Sequence, residues 1–97
     1  MAADQGFAII PLAMVGTVSA SALRVYAVLA GAGGLDQDSY PSKATIAYRA
    51  GLSSRQVQRG IAELSDEGWI RVQERYADDG TQVPNAYVVH RFQMGAA

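Results

Sequence analysis

The chain has 97 residues, a net charge of −1, a hydrophobic content of 49% and no cysteine. That length suits one domain and that apolar content builds a core, which excludes a disordered chain. Without cysteine there is no disulfide framework or thiolate metal site, a single histidine supplies no zinc or catalytic-histidine cluster, and the charge balance excludes a protein that holds nucleic acid by overall basicity.

In chain order, residues 1–6 read as a loose tail, 7–92 as the single domain and 93–97 as a second tail. FAIIPLAMV (7–15) followed by SASA (19–22) has the outline of a secretory signal. It lacks the positive start such a signal needs, because the first charge is Asp4, and Pro11 interrupts the run. No apolar run approaches the roughly 20 residues of a membrane span. FAIIPLAM is expected to be extended or turn-like, since the residue before a proline is pushed out of the helical region.

Ser19 or Ser21 can cap a first helix running through ALRVYAVLAG to about Gly31. That helix is apolar almost all round, so it must be covered on every side. Two other helices can supply one layer. FAIIPLAMV folding back, or a second copy of the chain, can supply the other. GAGGLDQDS follows as a loop. GAGG comes after a helix rather than a strand, so it lacks the setting of a dinucleotide-binding loop. Tyr40-Pro41 is expected to be extended, as a very short strand before the next helix.

Ser42 caps a second helix, KATIAYRA, with Ile46, Ala47 and Ala50 inward and Gly51 as a left-handed stop. Ser53 and Gln56 form a capping box at the start of a third helix, and Leu52 with Val57 a hydrophobic staple. Val57, Ile61 and Leu64 fall on one face of it and Arg55 and Arg59 on the other, flanked by Gln56 and Gln58. Gly60 inside it is either tolerated or a point of close packing. Gly68 ends the helix, and the period then changes to two. WIRVQERY (69–76) and AYVVHRF (86–92) are predicted strands joined by the long turn ADDGTQVPN, a β-hairpin. The fold class is therefore α+β: three helices, then a hairpin.

The stretch PSKATIAYRAGLSSRQVQRGIAELSDEGWI (41–70) resembles the winged helix-turn-helix of many bacterial and phage DNA-binding proteins. The matching residues are Pro41-Ser42, Ile46-Ala47, Gly51-Leu52-Ser53, Val57, Arg59, Leu64, Gly68 and Ile70. It is similar without a gap to the GntR family of regulators. With GFAIIPLAMV, LRVYAVLAG and NAYVV included, residues 6–90 are similar to the helix-turn-helix domains of phage and plasmid replication initiators. The resemblance implies a cytoplasmic bacterial protein, associated with nucleoid or plasmid. It also implies that the third helix enters the major groove and the hairpin wing lies along the backbone or minor groove.

The residues suit that role. Arginine pairs bidentately with guanine O6 and N7, and glutamine with adenine, so Arg55, Gln56, Gln58 and Arg59 are the candidate base readers. Ser53, Ser54 and the free N–H groups at the helix start suit a phosphate, as do Ser42, Lys43 and Thr45 at the second helix. In the wing, Arg71, Arg75, Thr81, Gln82 and Asn85 are the candidate backbone contacts. From Lys43 to Arg59 there are four cations and no acid. Asp78 and Asp79 at the wing tip depart from the pattern, since a phosphate-binding wing favours cations.

Trp69 is expected to pack beneath the wing, His90 to lie at the surface, and Tyr26, Tyr40, Tyr48 and Tyr87 to edge the core. Nothing assembles a nucleophile–base pair, paired carboxylates or a metal site, so neither enzyme chemistry nor a cofactor or small-molecule ligand is expected. The expected partners are double-stranded DNA and a second copy of the chain, met through the apolar N-terminal segment and first helix. Two copies would read two half-sites. The acidic wing tip and near-zero net charge support one rival from another class, a winged-helix module that binds protein.

Overall fold

The change of hydrophobic period at Gly68 divides the architecture into a helical part and a sheet. The computed structural model describes residues 7–33, 38–39 and 41–93. Its elements are α1 (Ala20–Gly33), β1 (Asp38–Ser39), α2 (Lys43–Ala50), α3 (Ser54–Asp66), β2 (Ile70–Tyr76) and β3 (Gln82–Val89). The three strands form one antiparallel sheet in the order β1-β3-β2. This is the α+β, three-helix-plus-hairpin order expected from the sequence. None of the described helices is long and apolar enough to cross a membrane.

The core lies where α1 meets the other elements. Ala22, Val25, Tyr26 and Leu29 of α1 are fully buried with Ile46 of α2, Val57 and Leu64 of α3 and Val89 of β3. The Tyr26 hydroxyl donates to the His90 carbonyl at 2.8 Å, and His90 N–H donates to the Trp69 carbonyl at 2.9 Å. The helical part is thereby tied to the base of the hairpin. Trp69 is buried beneath the wing, as expected.

The second cover of α1 comes from the chain itself. Ala8, Ile10 and Val18 pack against the core, and Met14, from a 3-10 turn at Leu12–Met14 that Pro11 begins, is fully buried. The other side of that segment is open: Phe7 is 90% exposed, Ile9 62%, Leu12 85% and Val15 54%.

Several boundaries differ from the expectations. α1 continues through Gly31 to Gly33, so the loop starts later; a side chain at Gly31 would meet only open space. The short strand is Asp38–Ser39 rather than Tyr40-Pro41, and Tyr40 lies outside the described residues. β3 begins at Gln82 and ends at Val89, not at 86–92. Its pairing passes from Gln73↔Ala86 to Arg75↔Val83, so two steps along β2 are matched by three along β3. Pro84 falls within that bulge, where a residue without an N–H is accommodated in a sheet. Tyr48 is 80% exposed on α2 rather than at a core edge, because Ile46 takes the inward position. His90 is half-buried, drawn inward by its backbone bonds to Tyr26 and Trp69.

Candidate nucleic-acid interface

Local sequence specifies where α3 starts. Ser53 sits in the extended region (φ −75°, ψ 163°), and its Oγ accepts from the Gln56 N–H at 3.1 Å. Gln56 Oε1 accepts in return from the Ser53 N–H at 2.9 Å. These reciprocal bonds satisfy two donors that a bare helix start leaves open. Val57, Gly60, Ile61 and Leu64 then face the core. Gly60 is a point of close packing: a Cβ there would lie 3.0 Å from Val25 Cγ2 and 3.3 Å from the Ala22 Cα.

A second tie fixes α3 against α1. Ser19 is the cap of α1, its Oγ accepting from the Ala22 N–H at 3.1 Å. The third helical position is Ala22, whose methyl side chain cannot return the bond. Glu63 of α3 does so instead, accepting from the Ser19 N–H at 2.7 Å and from Ser19 Oγ at 2.8 Å. Sequence spacing cannot reveal this, because the partners are 44 residues apart.

The face of α3 away from the core carries Arg55, Gln58 and Arg59, all exposed. Among the described residues these three side chains make no hydrogen bond or ion pair. Gln56 is exposed as well, but the cap engages the oxygen of its amide. Ser54 and Ser53 lie exposed at the helix start.

α2 is capped by Ser42, whose Oγ accepts from the Thr45 N–H at 3.1 Å and lies 3.0 Å from Thr45 Oγ1. It ends at Gly51 with φ 69°, the left-handed conformation glycine adopts without steric cost. Arg24 of α1 donates to the Ala50 carbonyl at 3.4 Å, beside that stop. Ser42 and Lys43 meet Gln82 and Asn85 of β3 across a cleft of about 290 Å³. Four of the ten candidate backbone contacts are thus brought together. Arg71, Arg75 and Thr81 do not line that cleft. Arg75 donates to the Pro84 carbonyl at 3.3 Å, and Arg71 is exposed on β2.

The wing tip is shaped by its acid. Asp79 Oδ1 accepts from the Thr81 N–H at 2.9 Å, and Gly80 turns the chain at φ 88°. The Thr81 backbone donor, then its hydroxyl, holds the Asp79 carboxyl below its ordinary value. At the hairpin base, burial raises the Tyr87 hydroxyl above its ordinary value, opposed by a hydrogen bond from Asn85. The acids of α3 lie in its C-terminal half, at Glu63 and Asp66, with Glu67 at the cap.

None of the described residues forms a His/Cys/Asp/Glu group able to hold a metal ion. No curated protein and no solved structure is detectably similar to the chain. Residues 18–70, more than half of the chain, match the model of the helix-turn-helix domain family. The match covers α1, α2 and α3 and ends on the first residue of β2, so the hairpin lies beyond it. With that hairpin attached, the chain belongs to the helix-turn-helix domain family in its winged form.

Proposed function

We propose that this domain binds double-stranded DNA with sequence preference, α3 lying in the major groove and α2 and the wing set against phosphates. The observation that carries this is the outer face of α3: Arg55, Gln58 and Arg59 are exposed and without partners among the described residues. They lie at one end of a stretch, Lys43 to Arg59, that has four cations and no acid. Ser42, Lys43, Gln82 and Asn85 line a cleft able to hold the neighbouring backbone, with Thr45, Ser53, Ser54, Arg71, Arg75 and Thr81 as further donors. The resemblance of residues 6–90 to replication initiators favours a role in plasmid or phage replication or maintenance, with transcriptional regulation as its rival.

Fluorescence anisotropy on duplex DNA across a salt series tests the binding. Affinity should fall steeply with salt, in proportion to the phosphates neutralised. Arg55→Ala/Arg59→Ala should lose about 1–3 kcal/mol for each bidentate contact removed. Salt-independent binding that the double variant leaves unchanged would refute the interface.

The exposed strip of Phe7, Ile9, Leu12 and Val15 favours a second contact, with another copy of the chain. Two copies would read two half-sites about one helical turn apart. Sedimentation velocity should then show a dimer that Phe7→Ser/Leu12→Ser dissociates. If duplex binding fails and this strip captures a different protein, the chain is a winged-helix interaction module.

A further inference from the structure

We infer that α3 reads guanines on duplex DNA through its first two turns alone, Arg55 and Arg59 each taking one guanine, one or two base-pair steps apart. This rests on the proposed DNA binding and narrows it to a base identity, a spacing and a part of the helix.

The first ground is the division of labour in the helix start. Bidentate pairing with adenine needs both ends of a glutamine amide, the oxygen for N6–H and the amine for N7. The cap already engages Gln56 Oε1 at 2.9 Å. Gln56 therefore holds the helix start, and the reading falls to the side chains with no partner among the described residues. Two of these are arginines, whose planar fork matches O6 and N7 of guanine.

The second ground is spacing. Arg55 and Arg59 are four residues apart, about 6 Å along the helix axis. Base pairs stack about 3.4 Å apart, so two forks on one face span one or two steps.

The third ground is the charge gradient along the same face. At spacings of four, three and four it presents Arg55, Arg59, Ala62 and Asp66, all exposed. Glu67 is exposed just beyond. Phosphates are repelled by these carboxylates and by the negative end of the helix dipole. The N-terminal turns enter the groove and the C-terminal turns stay outside it. Ala62 stands at the boundary.

The test is selection from a random duplex pool, followed by anisotropy on the selected duplex with guanine or 7-deazaguanine at each enriched position. The expected motif has two guanines one or two steps apart; replacing either guanine weakens binding about 5- to 150-fold, and 7-deazaguanine, which keeps O6, weakens it by less. Arg55→Ala removes the donors and should erase the preference at one guanine only. Arg59→Ala should erase it at the other. Salt-dependent duplex binding without guanine enrichment would overturn this inference and leave DNA binding standing. So would Ala variants that keep the wild-type motif. Absence of salt-dependent duplex binding would overturn both.

Discussion

A missing side chain sets how closely α1 and α3 approach. Gly60 costs α3 about 1 kcal/mol of helix propensity against alanine, yet it lets Val25 and Ala22 come within the space of a Cβ. The Ala22 contact is to backbone, which cannot rotate away. Gly60→Val should lower stability by about 2–3 kcal/mol, read as a shift in urea midpoint with unchanged slope. Asp79 acts by charge rather than by volume. Its carboxyl is held below the ordinary aspartate value by Thr81, so the folded state releases that proton more readily than the unfolded chain does. The resulting stability is complete above the unfolded value and is lost as pH falls through the folded one. Wild type should therefore exceed Asp79→Asn in stability at neutral pH, and the gap should close in acid. A gap that does not depend on pH would mean the turn uses the oxygen and not its charge.

At the scale of elements, local signals and distant ones divide what the sequence reveals. The capping box of Ser53 and Gln56, the Gly51 stop and the inward face of Val57, Ile61 and Leu64 all lie within a few residues of what they control, and each is present as expected. The outward placement of Arg55, Gln56, Gln58 and Arg59 was legible for the same reason, since they form the exposed side of a strongly patterned helix. The second wing strand was misplaced because Pro84 and Asn85 read as turn residues, whereas a bulge absorbs them into the sheet. The Glu63 bond to Ser19 was not legible at all, because helix packing makes it. Glu63 completes the cap of a helix to which it does not belong. Glu63→Ala should cost about 1–2 kcal/mol, the range of a lost cap. A double-mutant cycle with Ser19→Ala should show coupling of at least about 0.5 kcal/mol. Additive effects would mean the two residues act independently.

For the whole molecule, charge is placed rather than accumulated. A chain with a net charge of −1 keeps a cation-only stretch at α2 and the start of α3, with five of its nine acids in the second half of α3, at its cap and at the wing tip. A patch of that kind supports short-range contact with phosphate more than long-range attraction, so its effect is confined within about 8 Å at physiological salt. The sheet raises a different matter. Only Asp38 and Ser39 pair along the outer side of β3, at Val88 and Tyr87, so the stretch from Gln82 to Ala86 has no strand partner there among the described residues. An open strand edge is a template on which another chain can add, the first step of fibrous aggregation. Pro84 stands in that stretch without an N–H to offer, and the bulge around it bends the edge out of register. Pro84→Thr would restore the donor and favour a straighter strand. Its expected signature is turbidity or thioflavin fluorescence that grows with protein concentration on warming, while the far-ultraviolet spectrum of dilute protein stays close to that of wild type. A residue that disguised the strand in the sequence thus also keeps the folded domain from assembling edge to edge.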